Sequence, residues 1–340
     1  MQRRWTASTF VFICLAVAAL PAQTVTPAQP ATPAATLAEA RTLIDAGKPA
    51  AAIEKLRSSD GADPRIAELL GVAYYHAGDT ARAIETLSAV LPRLAAASAE
   101  RKEAVQVLGL SHYLAGHIAE SIPYLEEIRE TGPDDRKLAY ALAMAYAQTR
   151  QAAKARASIA RTFKVPEDSA SAYLLTGQLM NRLELEDLAV ASLKEALAKD
   201  PRLPEAHFLL GQIAVFRSRL DEGLALLRAE LAINPAHGMA LYWIGDVHSR
   251  QAKWPEAIAA LQQSIWINPY FSAPYILLGK AYSKTAQPGT AEEMFRRAIQ
   301  YDPNNKTAHY LLGQLLQQAG RIEEAQKELA IAARLQGDIK

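Results

Sequence analysis

The sequence has little of what cross-linked or thiol-dependent folds require. Its one cysteine, Cys14, lies inside an apolar N-terminal run, so a chain without that run has no disulfide, no thiolate metal site and no cysteine nucleophile. Aromatic residues make up only 7% of the chain although 50% is hydrophobic, so alanine and leucine dominate the apolar fraction. This composition favours closely packed helices over a β-sandwich.

An excess of charge of either sign is also missing. The chain has 37 Lys and Arg residues against 36 Asp and Glu residues, and no basic run interrupts this balance. Nucleic-acid binding and polybasic membrane-surface binding both depend on clustered positive charge. We therefore expect no nucleic-acid partner, and no direct membrane binding unless the apolar N-terminal segment stays attached.

The N-terminus has the layout of an export signal. Arg3 and Arg4 precede an apolar run over residues 9–20, and small residues follow up to Ala22. This order is typical of a secretory signal peptide, and the run is short for a membrane span. We predict a signal peptide over residues 1–22 and an exported, periplasmic or secreted chain. An uncleaved N-terminal anchor is the alternative.

Beyond a Pro-, Ala- and Thr-rich stretch over residues 23–36, which we interpret as a linker, the sequence repeats every 34 residues. One register holds Gly109, Gly177, Gly211, Gly245, Gly279 and Gly313. A second register with the same spacing of 34 residues holds Pro201, Pro235, Pro269 and Pro303. Two residue types do not stay in phase over that distance by chance, so we predict a repeat array.

The unit at residues 272–305 shows the repeated pattern most fully. It contains Tyr275, Leu278, Gly279, Tyr282, Ala291, Phe295, Ala298 and Pro303. In this pattern the unit resembles a tetratricopeptide repeat. The resemblance implies an all-α solenoid of antiparallel helix pairs stacked into a right-handed superhelix. It covers residues 64–339 in eight units, at about 64–97, 102–135, 136–169, 170–203, 204–237, 238–271, 272–305 and 306–339. Residues 37–63 are predicted to form a degenerate N-terminal helical hairpin.

No residue pattern indicates catalysis or a cofactor. His112 and His117 are five residues apart, which puts them on different faces of a helix, and no HxxxH or HExxH motif occurs. The glycines belong to the repeat register and form no phosphate-binding string, and the acidic pairs lie beside Lys or Arg on predicted helix surfaces. We predict no catalytic, cofactor or metal site, and hence a protein that is not an enzyme.

Family resemblance places positions 2, 5, 9, 12 and 13 of each unit on the inner groove of the solenoid. The groove residues that we select as candidates are Tyr113, Tyr140, Gln178, Arg182, Phe208, Gln212, Phe216, Tyr242, Arg250, Lys280, Lys284 and Tyr310. Aromatic, arginine and amide side chains are common on peptide-binding surfaces. The alternative is that the aromatic rings only shield the helices that carry them.

These features predict a non-enzymatic scaffold of the cell envelope that binds protein or peptide segments in the inner groove. The alternatives are a membrane-anchored assembly factor for a pilus or secretion machine, and a non-catalytic subunit of an enzyme complex. The last predicted helix ends with Ala330, Ile331, Ala333 and Leu335, which would form an open apolar edge. We expect this edge to support self-association or to bind a partner.

Overall fold

The computed structural model describes residues 32–59, 62–131 and 136–337. Within these ranges the chain forms eighteen α-helices and one short 3₁₀ turn, and it has no strand. The all-α prediction is therefore confirmed. The predicted signal peptide, residues 1–22, and the linker up to residue 31 lie outside the described residues.

The helices follow one another as pairs, in which we name the first helix A and the second helix B. The A helices are α1 (Pro33–Asp45), α3 (Pro64–His76), α5 (Ala99–Leu114), α7 (Arg136–Gln148), α9 (Ala170–Arg182), α11 (Ala206–Phe216), α13 (Gly238–Arg250), α15 (Ser272–Lys284) and α17 (Lys306–Gln318). The B helices are α2 (Pro49–Arg57), α4 (Thr80–Val90), α6 (Ile118–Thr131), α8 (Ala152–Phe163), α10 (Glu186–Lys199), α12 (Leu220–Ile233), α14 (Trp254–Ile267), α16 (Pro288–Tyr301) and α18 (Ile322–Gly337). None of the helices in this described part is both long and apolar enough to cross a membrane.

Each pair packs on the next and forms a solenoid. Helix B of one pair contacts helix A of the following pair at every junction from α2 and α3 to α16 and α17. Consecutive A helices also contact each other; for example, α1 contacts α3 and α13 contacts α15. Because the A helices approach one another along the array, they form its inner face, and the B helices lie outside them.

The repeated glycines allow the two helices of a pair to approach closely. A Cβ atom placed on Gly279 would lie 2.4 Å from Cε1 of the Phe295 ring, and one on Gly245 would lie 2.5 Å from Cγ of Leu261. Both partner side chains are buried between helices. Glycine inside a helix costs about 1 kcal/mol relative to alanine, so its recurrence reflects helix contact and not helix propensity.

The turn between helix A and helix B requires a left-handed backbone at one position of every pair. Glycine occupies this position at Gly47, Gly78, Gly116 and Gly320, with φ between 69° and 81°. In the other pairs it is Arg150, Glu184, Ser218, Ala252 or Ala286, with φ between 57° and 60°. A left-handed residue ends an α-helix and turns the chain, and glycine adopts this conformation without steric strain.

Two helices begin earlier than the predicted boundaries. Helix α1 begins at Pro33, where the Thr32 hydroxyl accepts a hydrogen bond of 3.3 Å from the Ala35 N–H, so the last four residues of the predicted linker are helical. Helix α5 begins at Ala99, three residues before the predicted unit, after a 3₁₀ turn at Leu91–Arg93. A side-chain cap determines the helix start in both cases, and the repeat period does not show it.

Candidate functional site on the inner helix face

Predicted groove residues from neighbouring A helices are in contact on the inner face. The Gln148 side-chain amide of α7 donates a hydrogen bond of 3.3 Å to the Tyr113 hydroxyl of α5. The Arg182 guanidinium of α9 donates one of 3.3 Å to the Tyr140 hydroxyl of α7. Because the donor and the acceptor of each bond belong to consecutive A helices, the inner face is continuous from one of these units to the next.

Aromatic rings continue this surface across α11, α13 and the start of α15. The Phe216 ring meets the Trp243 ring edge to face at 5.0 Å, and Trp243 meets Tyr242 at 5.3 Å. Tyr242 then meets Phe271 at 5.2 Å. Phe216 is 65% exposed, whereas burial raises the pKa of the Tyr242 hydroxyl. We call Phe216, Tyr242, Trp243 and Phe271 the aromatic strip, in which Trp243 is buried and supports the exposed Phe216 ring.

Phe208, predicted as a groove residue, is buried and does not contribute to the exposed part of the inner face. Only 8% of the residue is exposed, and its ring lies 4.5 Å from the His237 imidazole. His237 belongs to the turn before α13 and caps that helix by accepting a hydrogen bond from the Ala240 N–H. The capping residue of the next unit therefore covers Phe208. Gln178 and Gln212, also selected, are half-buried.

Positive charge continues the inner face beyond the aromatic strip. Arg250 forms an ion pair of 2.7 Å with Asp246 on its own helix, which offsets much of its charge. Lys280 and Lys284 are exposed on α15, and within the described residues neither forms an ion pair. Both line a cleft of about 250 Å³ with Gln314 and Gln318 of α17. Its apolar walls are Phe295, Leu311 and Leu315.

Tyr310 lies on α17 beside this cleft. It is 47% exposed, and its hydroxyl accepts a hydrogen bond of 2.8 Å from the Gln314 amide. The structure thus places an exposed ring, amides and two lysines on adjacent A helices. We call Lys280, Lys284, Tyr310, Gln314 and Gln318 the basic cleft.

The inner face is different at its N-terminal end, which sequence reasoning did not assign. Arg41 of α1 donates two hydrogen bonds of 2.6 Å to the Glu103 carboxylate of α5. Glu68 of α3 is only 1% exposed, and its Oε1 has no hydrogen-bond partner. Burial, with the nearby charge of Glu103, raises the pKa of Glu68 to about 8, against the opposite effect of Arg41. The degenerate first hairpin hid the Arg41 position from the repeat pattern.

One cluster of potential metal ligands occurs in the described part of the chain. Ligand atoms of Glu205, Glu230 and His237 lie within 4.8 Å of one another. The buried Glu230 carboxylate accepts hydrogen bonds from the Glu205 N–H at 3.0 Å and the Phe208 N–H at 3.3 Å. Because His237 Nδ1 accepts from Ala240, the proton lies on Nε2, which donates to Glu205 at 3.1 Å. We interpret the cluster as capping of α11 and α13, because a metal ion would have to displace these bonds.

The predicted C-terminal edge is only partly open. On α18, Ala332 is buried, Ile331 and Leu335 are half-buried, and Ala330 and Ala333 are exposed. Self-association through this edge stays a prediction.

Comparison with known families identifies the class of protein. Family descriptions named "Tetratricopeptide repeat" match residues 37–101, 107–169, 140–204, 185–236, 208–270 and 284–339. These matches cover most of the chain, so the chain belongs to the tetratricopeptide repeat family. Proteins of this family are typically non-catalytic scaffolds for protein–protein interaction, and this chain has the helix pairs and stacking of that class.

Solved structures of several repeat proteins are similar to parts of the chain. MamA (residues 41 to the end) from Desulfovibrio magneticus RS-1 is 22% identical over 51% of this chain and 98% of its own, with a TM-score of 0.47. YrrB, "a TPR protein with an unusual peptide-binding site", is 20% identical over 55% and 95%, with a TM-score of 0.45. PilF of Pseudomonas aeruginosa is 18% identical over 58% and 88%, with a TM-score of 0.47. No curated protein matches the chain. Similarity at this level carries no information about the binding partner.

Proposed function

We propose that the chain is an exported, non-enzymatic scaffold that binds an extended segment of a partner protein on its inner face. The observation that supports this function most directly is the aromatic strip continued by the basic cleft, over four consecutive A helices from α11 to α17. An exposed Phe216 and an exposed Tyr310 offer apolar contact area, and neighbouring amides can bond to a peptide backbone.

Charge indicates the chemistry of the segment. Asp246 already pairs with Arg250, whereas Lys280 and Lys284 have no ionic partner in the described structure. We therefore propose a segment whose apolar or aromatic residue contacts Phe216 and whose acidic residues lie over Lys280 and Lys284. Exposed lysine–carboxylate contacts contribute little affinity individually and are weakened by salt, but they select against basic segments.

The test is affinity capture from envelope extract with the wild-type chain and two variants. Phe216→Ala removes the exposed ring, and Lys280→Glu with Lys284→Glu reverses the charge of the cleft. Phe163→Ala is the matched control, because Phe163 is 50% exposed but lies at the end of the outer helix α8. We expect a few proteins that wild type and control retain and both variants lose, and whose acidic segments then bind as synthetic peptides. Equal capture by all four chains would remove the inner face from the proposed function.

Export is a separate part of the proposal and is supported by the sequence of residues 1–22. The mass of the protein recovered from its native envelope tests it. A chain that begins at Gln23 agrees with a soluble exported scaffold. A chain that retains the apolar segment would instead favour the membrane-anchored assembly factor, with the same inner face as its binding surface.

A further inference from the structure

The most exposed large aromatic side chains that the structure describes lie away from the inner face. Trp266, at the end of the outer helix α14, is 88% exposed, and Tyr270, in the turn before α15, is 76% exposed. Ile267 between them is 38% exposed, and Met239 at the start of α13 is 37% exposed. We call Met239, Trp266, Ile267 and Tyr270 the apolar ridge.

The repeat fold does not require aromatic residues at these positions. In other units the residues that correspond to Trp266 are Lys164, Ala198, Ala232, Gln300 and Arg334, and all are exposed. The residues that correspond to Tyr270 are Asp168, Arg202, Ala236 and Asn304, and these are exposed too. Tyr270 meets the Tyr301 ring edge to face at 5.7 Å and is still 76% exposed. Because the same positions are solvated and mostly polar or small elsewhere, both rings are available for a contact outside their own chain.

No charged residue occurs in the segment that carries Trp266, Ile267 and Tyr270. Residues 257–279 contain no Asp, Glu, Lys, Arg or His, in a chain of which 21% is charged. A polar helix surface normally carries charges of both signs. A strongly acidic or basic partner would therefore find no ionic contact within this stretch.

Beside the apolar ridge lies a cleft of about 310 Å³ between the turns that precede α13 and α15. Met239, Ile267 and Phe271 form its apolar walls, and Ala236 and Gly238 contribute small residues. Glu205 and His237 lie at its edge and are already bonded to each other. One side of the solenoid thus carries both a protruding indole and a recess with apolar walls.

We propose that this ridge and cleft form a self-association surface, on which a second copy of the chain docks around a two-fold axis. Two-fold symmetry places the same patch opposite itself, so a neutral patch with both a protruding ring and a recess is complementary to its own copy. Trp266 of each copy enters the cleft of the other. A specific contact buries on the order of 1,200 Å² or more in total, so flanking residues of both copies have to join the four ridge side chains. This surface shares Phe271 with the aromatic strip but is centred on the end of α14, and it is separate from the edge of α18.

Sedimentation of the full chain over a range of concentrations tests the proposal. We compare wild type with Trp266→Gln and Tyr270→Asn, which introduce the residues that the next unit has at the same positions. The matched control is Tyr310→Gln, an exposed aromatic on the inner face. We expect wild type and control to dimerise, and each ridge variant to dissociate at least about tenfold more readily. Circular dichroism should show the same helix content in all four chains, because both ridge side chains are exposed.

Tryptophan emission distinguishes this surface from any other dimer contact. Trp243 and Trp254 are buried or half-buried in the single chain, and a Trp5→Phe background removes the fourth tryptophan, so Trp266 reports the contact. Emission should shift to longer wavelength as dilution separates the copies of wild type, and should not shift in Trp266→Gln. A wild type that stays monomeric at high concentration would overturn the proposal. So would a dimer that persists unchanged in Trp266→Gln, which would place self-association elsewhere, for example on α18.

Discussion

The two ends of the inner face consist of the same helix pairs but differ in how their charges are partnered. At the N-terminal end Arg41 is bonded to Glu103 and the Glu68 carboxyl is buried, so charged groups are used within the chain. Towards the C-terminal end Lys280 and Lys284 are exposed and have no ionic partner among the residues that the structure describes, beside the exposed Tyr310. The first arrangement joins α1 and α5 to each other, and the second is available to another molecule.

The difference shows that helix packing and surface chemistry are separable in this array. The Gly-to-large contact recurs at both ends, at Gly71 with Leu87 and at Gly279 with Phe295. Inner-face residues are therefore free to differ while the packing beneath them stays constant. This is the expected property of a fold in which each unit is stabilised by its neighbours.

The largest expected effect that separates the two ends is the pH dependence that Glu68 gives to the N-terminal end. The raised pKa of Glu68, about 8, means that the folded chain favours the protonated carboxyl. Its contribution to stability is fully present below the ordinary pKa of a glutamate and is lost as pH rises through the folded pKa. The charges that act on Glu68 are Glu103 and Glu100 of α5 and Arg41 of α1. We expect the free energy of unfolding to fall by on the order of 4 kcal/mol between about pH 5 and about pH 9.

Urea unfolding curves over this pH range measure the effect. Glu68→Gln keeps the shape of the protonated side chain but cannot ionise, so its curves should lose most of the pH dependence. Glu120→Gln is the control, because Glu120 is exposed on α6 and should leave the dependence unchanged. A Glu68→Gln variant with the same pH dependence as wild type would show that Glu68 is ionised at low cost in the folded chain.

The repeat period predicted the helix pairs because the residues that make the contacts recur with it. A small residue in helix A and a large one in helix B are required wherever the two helices of a pair approach closely, so the 34-residue register reveals the architecture. It does not reveal which inner-face side chains stay exposed. Phe208 was predicted to line the groove and is buried, because His237 covers its ring, and the register fixes only the cap position, which holds Ser169, Phe271 or Asn305 in other units.

The apolar ridge was missed for a different reason. Sequence reasoning searched the A helices for binding residues, whereas Trp266 and Tyr270 lie at the end of a B helix and in the turn after it. A signal was nevertheless present, since aromatic residues replace polar or small ones in one unit within an uncharged run of residues 257–279. The N-terminal charge cluster had no such signal, because Arg41 lies in a hairpin that the repeat pattern describes poorly.

The next expected effect compares helix packing at the two ends. A Cβ on Gly71 would lie 2.4 Å from Cγ of Leu87, and one on Gly279 would lie 2.4 Å from Cε1 of Phe295. Overpacking of this kind destabilises a fold by about 1–3 kcal/mol. The higher helix propensity of alanine offsets about 1 kcal/mol of that destabilisation. We expect both Gly→Ala variants to be destabilised, and Gly279→Ala more so, because a planar ring has fewer alternative positions than leucine.

Urea unfolding of the two variants tests this ranking. Gly289→Ala is the control, because no atom lies within 4 Å of the Cβ that it would gain. The control should be as stable as wild type or slightly more stable. If Gly279→Ala were no less stable than the control, close helix approach would not explain why glycine recurs at this position.

The smallest expected effect concerns the turn between helix A and helix B. Gly78 near the N-terminal end and Ala286 near the C-terminal end occupy the same left-handed position, with φ of 80° and 58°. A residue with a Cβ is strained by about 1–2 kcal/mol in this conformation. Part of this strain is offset because the unfolded chain has less conformational entropy with alanine than with glycine. We expect Gly78→Ala to lower the free energy of unfolding by about 1 kcal/mol, and Ala286→Gly to raise it by up to about 1 kcal/mol. Nothing lies within 4 Å of a Cβ on Gly78, so the first change reports backbone conformation and not packing.

Thermal unfolding of the two variants measures the loss of stability in Gly78→Ala and the gain in Ala286→Gly. Ala252→Gly, at the same position of another unit, should repeat the stabilisation. A loss of stability in both alanine-to-glycine variants would mean that the entropy of the unfolded chain outweighs left-handed strain in this turn.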